Sequence, residues 1–238
     1  VTTPAGALWS RWTTTVTVGE MIGFSLPAVT AVAVRDAPGP VAFCALLAAG
    51  AGEAAVLGAA QARVLRTVLT GLSGRRWTLA TVAGGVTAWA IGSAAPVVGA
   101  RADSLGPVLT GTLFGAGAVA LLLAMGIAQW TVLRHAVDGA WRWIPATIAG
   151  WAVGLGVFAA ITTPLWHPGQ DAALVLAIGV FGGVLMAASM AAVTGVFVVR
   201  LAGSARRKHG SGPARTIADP AGTFGTAHDR VPGETITP

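Results

Sequence analysis

Along the chain, long apolar stretches alternate with short turns rich in Arg, Gly and Pro. Six apolar runs stand out: Trp12 to Val34, Val41 to Leu65, Trp77 to Ala100, Pro107 to Leu133, Trp143 to Leu165 and Ala172 to Leu201. An α-helix rises 1.5 Å per residue and needs about 20 residues to cross the hydrocarbon of a bilayer, and every run reaches that length. The pattern predicts an all-α integral membrane fold with six transmembrane helices. The first run is read as a helix that stays in the membrane and not as a cleaved leader, because it is long and Glu20 interrupts it.

The runs also repeat. Arg-Trp precedes or opens the odd runs at Arg11, Arg76 and Arg142, spaced 65 and 66 residues apart, and Trp12, Trp77 and Trp143 then coincide, as do Gly19, Gly84 and Gly150. The even runs close on Arg66, Arg134 and Arg200, and Gly-x-x-Gln-x-x-Val-Leu-Arg occurs at both Gly58 to Arg66 and Gly126 to Arg134. In the third copy Gly195 stands where a glutamine is expected. The expected organisation is a membrane domain over 12–201 built as three tandem parallel helical-hairpin repeats, 12–66, 77–134 and 143–200. A short N-terminal segment, 1–11, precedes it, and a disordered basic tail, 202–238, follows it. Pro38-Gly39-Pro40, Leu105-Gly106-Pro107 and Pro168-Gly169 supply the turn residues on the side away from the arginines.

Composition supports the membrane reading and orients it. Hydrophobic residues make up 54% of the chain and charged residues 10%, with a mean hydropathy of +0.73, whereas soluble domains carry about 25% charged residues. Arg11, Arg63, Arg66, Arg75, Arg76, Arg134, Arg142 and Arg200 fall on one side of the expected membrane, with Arg206, Arg207 and Lys208 of the tail, while Arg35 and Arg101 fall on the other. Short loops rich in Lys and Arg stay in the cytoplasm, so both termini are expected there. The net charge of +6 follows from this bias and from the tail, which points to anionic lipid headgroups as partners and away from nucleic acid.

Glycines four apart, Gly19 and Gly23, Gly111 and Gly115, Gly150 and Gly154, and Gly179 and Gly183, offer flat surfaces for helix packing. Trp12, Trp77, Trp130, Trp141 and Trp143 gather at the arginine-bearing helix ends and are expected to form an interfacial belt, with an aromatic binding cage as the sharper alternative. The single cysteine, Cys44, excludes an intrachain disulfide. His135 and Asp138 lie in one turn and His167 on the opposite face, so neither a metal triad nor a nucleophilic triad is expected. No cofactor and no enzymatic activity are expected.

Polar residues inside the runs are the candidates for chemistry, because a carboxylate at the centre of a membrane helix costs roughly 2.5–3.5 kcal/mol on insertion. Glu20 falls opposite Gly85 and Trp151 in the repeat, Glu53 opposite Leu121 and Ala187, and Arg63 opposite Thr131 and Phe197, so symmetry does not require them. Glu20 stands about 12 Å above Trp12 and Glu53 about 18 Å above Leu65 at 1.5 Å per residue, which brings the two carboxylates into one depth window. They are poised either to share a proton or to bond a nearby hydroxyl such as Thr17 or Ser25. Arg63 is expected to reach up toward Glu20. Because its siblings are apolar, Glu53 is expected to be dispensable for the fold. Gln61 and Gln129 occupy matched places, either as interhelical hydrogen-bonding residues or as the polar lining of a cavity.

The element Gly126 to Arg134, with the basic turn and Trp-rich helix start that follow it, resembles a motif in uncharacterised multi-pass membrane proteins of actinobacteria and cyanobacteria. That resemblance implies residence in the bacterial cytoplasmic membrane and carries no activity with it. Two functions compete. One is a transporter or channel for protons, ions or a small solute, using Glu20, Glu53, Gln61, Arg63 and Gln129. The other is a non-catalytic scaffold or accessory subunit that binds another membrane protein or a second copy of itself.

Overall fold

A computed structural model describes residues 4–210, and side chains through Ser204. Six long helices carry the fold: α1 (Ala5–Ala33), α2 (Gly39–Leu65), α3 (Gly74–Gly99), α4 (Ala102–Leu133), α5 (Trp143–Leu165) and α6 (Ala172–Gly210), with a short 3₁₀ turn, Ala140–Arg142, before α5. All six are long and apolar enough to cross a membrane. The fold is that of a multi-pass membrane protein, since a helix satisfies its own backbone hydrogen bonds where no water is available.

Two helix ends differ from expectation. The first helix begins at Ala5, seven residues before Trp12, because Leu8 is buried and the Trp9 indole N–H donates to the Ala192 carbonyl at 3.0 Å, docking the extra turns on α6. The last helix passes Leu201, which is buried together with Ala202, and continues to Gly210. The remainder of the expected tail, from 211 onward, lies outside the described residues. At the start of α4, Gly106 takes φ 74° and breaks the helical path, so the long segment runs from Pro107. A positive φ suits glycine, and proline is well placed at a first helical position. Ser73 caps α3 by accepting the Arg76 amide at 3.3 Å.

Each helix packs on the next in the chain, and α6 returns to pack on α1, so the six helices close into a ring. Glycines set the close approaches. A Cβ added at Gly19 would lie 2.5 Å from the Ala60 Cβ, one at Gly84 2.8 Å from the Met125 Cα, and one at Gly154 3.0 Å from the Met186 carbonyl. The first two are closer than real Cβ atoms approach and the third is tighter than most, so the α1/α2, α3/α4 and α5/α6 seams rely on the missing methyl. The expected glycine pairs divide. Gly19/Gly23 and Gly150/Gly154 sit in seams, whereas Gly111/Gly115 and Gly179/Gly183 meet no atom of another helix within reach of an added Cβ.

Burial is concentrated toward the arginine-bearing helix ends, where Leu8, Trp12, Val16, Leu57, Trp77, Leu133, Trp143 and Val198 belong to one apolar cluster. Farther from those ends a partly open cavity lies between the helices.

Candidate functional site

Three tryptophans form the floor of the site. Trp12, Trp77 and Trp143 are 0%, 0% and 1% exposed, which corrects their assignment to an interfacial belt. Their rings meet edge to face: Trp12 and Trp143 with centroids 6.0 Å apart at 88°, Trp77 and Trp143 5.6 Å apart at 66°. Trp141 stays exposed, at 61%, while Trp130 is half-buried under the Arg134 guanidinium. A buried indole carries an N–H donor that must find an acceptor.

Each of the three N–H groups finds its acceptor on the adjoining even helix. Trp77 donates to Gln61 Oε1 at 3.1 Å, Trp143 to Gln129 Oε1 at 2.8 Å, and Trp12 to Thr194 Oγ1 at 3.0 Å. Because an indole can only donate, both amides must turn an oxygen toward a ring. Gln129 Nε2 is then directed to Gln61 Oε1 at 2.8 Å and Thr81 Oγ1 at 3.0 Å. The Thr81 hydroxyl donates to the Trp77 carbonyl at 2.9 Å. Thr194 stands one residue before Gly195, the position where a glutamine was expected. Gly195 itself lies against indoles, since an added Cβ would sit 2.9 Å from Trp12 Cδ1 and 3.1 Å from Trp9 Cδ1. The small residue admits two rings, and the neighbouring threonine supplies the acceptor.

Above this floor lies a cavity of about 500 Å³ to which all six helices contribute. Glu20 and Glu53 both line it. The helices that carry them are in tight contact at that level, since a Cβ on Gly23, one turn from Glu20, would lie 2.9 Å from the Glu53 carbonyl. The two carboxylates differ in their partners. Glu53 Oε2 accepts the Trp89 indole N–H at 2.8 Å, whereas Glu20, only 1% exposed, has an Oε2 that accepts no hydrogen bond from the protein. Neither hydroxyl anticipated for Glu20 serves it: Ser25 donates to the Ile22 carbonyl at 2.6 Å, and Thr17 Oγ1 is itself buried without a partner.

The candidate residues thus fall into three places. Glu20 and Glu53 share the cavity, and Gln61 and Gln129 belong to the tryptophan floor. Arg63 is exposed and lines a separate outer cleft with Arg66, Arg75, Thr67 and Thr78, so it does not approach Glu20. Leu121 and Trp151, which the repeat pairs with Glu53 and Glu20, line the same cavity as the carboxylates. Sequence reasoning missed Trp89, Thr81 and Thr194. Trp89 had a signal, an indole in the middle of an apolar run, whereas Thr81 and Thr194 look like ordinary membrane-helix threonines. No protein-family model, curated protein or solved structure matches the chain.

Proposed function

We propose that the chain is a non-catalytic membrane carrier or channel that moves protons, ions or a small solute through the cavity holding Glu20 and Glu53. The observation that carries this reading is the pairing of a buried, unpartnered carboxylate with a second carboxylate on one cavity inside a closed ring of membrane-length helices. An ionisable group in hydrocarbon is costly, and the apolar residues Leu121 and Trp151 pack in the same wall, so packing alone does not call for the acids. The tryptophan–glutamine floor serves as a closed gate on the arginine-bearing side.

In this reading the chain is three tandem hairpins in parallel, supported by the shared register of Trp12, Trp77 and Trp143 and by their donation to α6, α2 and α4. It belongs to the bacterial cytoplasmic membrane, among the actinobacterial and cyanobacterial multi-pass proteins it resembles, with both termini inside. The tail and the Arg63 cleft lie against anionic headgroups. A second reading, an accessory subunit or homo-oligomer, draws on Gly111 and Gly115 of α4, where an added Cβ would meet nothing within 4 Å among the described residues.

The test is side-specific labelling after the exposed Cys44 has been replaced by alanine. A cysteine in place of Ser93, which lines the cavity, should react with an impermeant maleimide from one side only. Cysteines at the exposed positions Gly39, Asp103 or Gly169 should react from outside, and at the exposed Arg75 from inside, whereas Ala140 is buried and unsuited to labelling. In proteoliposomes an imposed pH gradient should drive proton uptake that Glu53→Gln reduces. A cavity closed to label from both sides, with no uptake above empty liposomes, would favour the subunit reading.

A further inference from the structure

The lining of the cavity selects one ligand chemistry, and the argument rests on taking this cavity as the solute site of the carrier. Four aromatic side chains, Phe24, Trp89, Trp151 and Phe158, line it, and its other walls are almost entirely apolar. Among the described residues, no Arg, Lys or His lines it. An anion would face two carboxyl groups and the electron-rich faces of indoles. A sugar or other neutral polar solute would meet few partners, since the polar side chains of the wall are Glu20, Glu53, Ser93 and the Trp89 N–H, and that N–H is already given to Glu53. A hard divalent cation takes six or more oxygen ligands, which two carboxyl groups and one hydroxyl do not supply.

The chemistry that fits is an apolar body bearing a positive charge. Aromatic faces attract such a charge through their quadrupoles, most strongly where water is excluded, and dispersion holds the apolar remainder. Glu53 already gives Oε2 to Trp89, while Glu20 Oε2 is buried without a protein partner, which makes Glu20 the less satisfied carboxyl group of the wall. We propose that the cavity binds a hydrophobic organic cation, a lipophilic amine or quaternary onium ion, with its charge at the Glu20 carboxylate and its apolar body among Trp89, Trp151 and Phe158.

Tetraphenylphosphonium and tetraphenylborate, nearly equal in size and opposite in charge, are suitable probes. Equilibrium dialysis against the purified full chain in nanodiscs, corrected by empty nanodiscs, should show saturable binding of the phosphonium and binding of the borate at least about tenfold weaker. Glu20→Gln should weaken phosphonium binding about tenfold or more. Gly183 lines the cavity, and an added Cβ there meets nothing within 4 Å, so Gly183→Leu should fill the cavity and abolish binding with both carboxyl groups intact. Should Glu20→Gln fail to fold, Gly183→Leu at an unchanged Tm decides the matter. Equal binding of the two ions, or phosphonium binding undiminished in Gly183→Leu, overturns the proposal. Phosphonium binding with neither phosphonium transport nor proton uptake in proteoliposomes would overturn the carrier reading and leave the cation site standing. Proton uptake without phosphonium binding would do the reverse.

Discussion

Trp143 donates its indole N–H to Gln129 Oε1 at 2.8 Å, joining two helices that follow one another in the chain through a pair of side chains that are both essentially unexposed. Gln129 is also the residue through which this pair reaches the Trp77–Gln61 pair. The floor of the cavity is therefore one connected network over α2, α3, α4 and α5, with Trp12 and Thr194 completing it by a ring contact to Trp143.

Removing Gln129 should cost more than removing Thr194. Gln129→Leu leaves the Trp143 N–H without an acceptor and takes the amide donor from both Gln61 and Thr81. Thr194→Val orphans only the Trp12 N–H. An unsatisfied buried donor costs about 1–3 kcal/mol, while interhelical hydrogen bonds measured in membranes average about 0.6 kcal/mol. Gln129→Leu is expected near the upper end of that range and Thr194→Val near the lower, in reversible unfolding from mixed micelles. Equal losses would mean that the amide bridge between Gln61 and Gln129 contributes little.

The two glutamates should respond in opposite directions to the same apolar replacement. Glu20→Met removes a buried carboxyl oxygen with no protein partner, so stability should rise by about 1–3 kcal/mol. Glu53→Met leaves the half-buried Trp89 N–H unpaired and should lower stability, whereas Glu53→Gln retains an acceptor and should restore most of the loss. This revises the expectation that Glu53 is dispensable for the fold, and the reason is Trp89. Thermal unfolding of the three variants in one detergent would show it, and a destabilised Glu20→Met would point to a structural role for that carboxyl.

Glycines of equal standing in the sequence should separate on substitution. Gly84→Ala places a Cβ 2.8 Å from the Met125 Cα and 3.1 Å from the Ala124 carbonyl, both backbone atoms that cannot swing aside. Overpacking of this kind costs about 1–3 kcal/mol. Gly111→Ala meets nothing within 4 Å and should leave the monomer's stability unchanged or slightly higher. If Gly111→Ala destabilised the protein in the lipid bilayer while leaving the detergent monomer untouched, α4 would be in contact with a second copy or a partner.

The number of helices, their approximate limits and their apolar character were legible in the sequence, because a segment in hydrocarbon must satisfy its backbone within itself, a local requirement. The start of the long α4 segment at Pro107, after the Gly106 turn, was legible for the same reason. So were the residues with unusual chemistry: Glu20, Glu53, Gln61 and Gln129 stand out against apolar neighbours, and all four are buried.

Which way those side chains face was decided by the tertiary structure. In a soluble helix the apolar face points to the core, but lipid is as apolar as a protein interior, so a helix apolar on every side does not announce its inner face. Trp12, Trp77 and Trp143 could have stood at the lipid interface or in the middle of the ring, and the sequence expectation chose the interface. What turns them inward is the set of acceptors on neighbouring helices, Thr194, Gln61 and Gln129. Likewise, only closure of the ring by α6 on α1 lets Thr194 serve Trp12 across 182 residues of chain, and only the approach of α3 gives Glu53 a partner and leaves Glu20 without one.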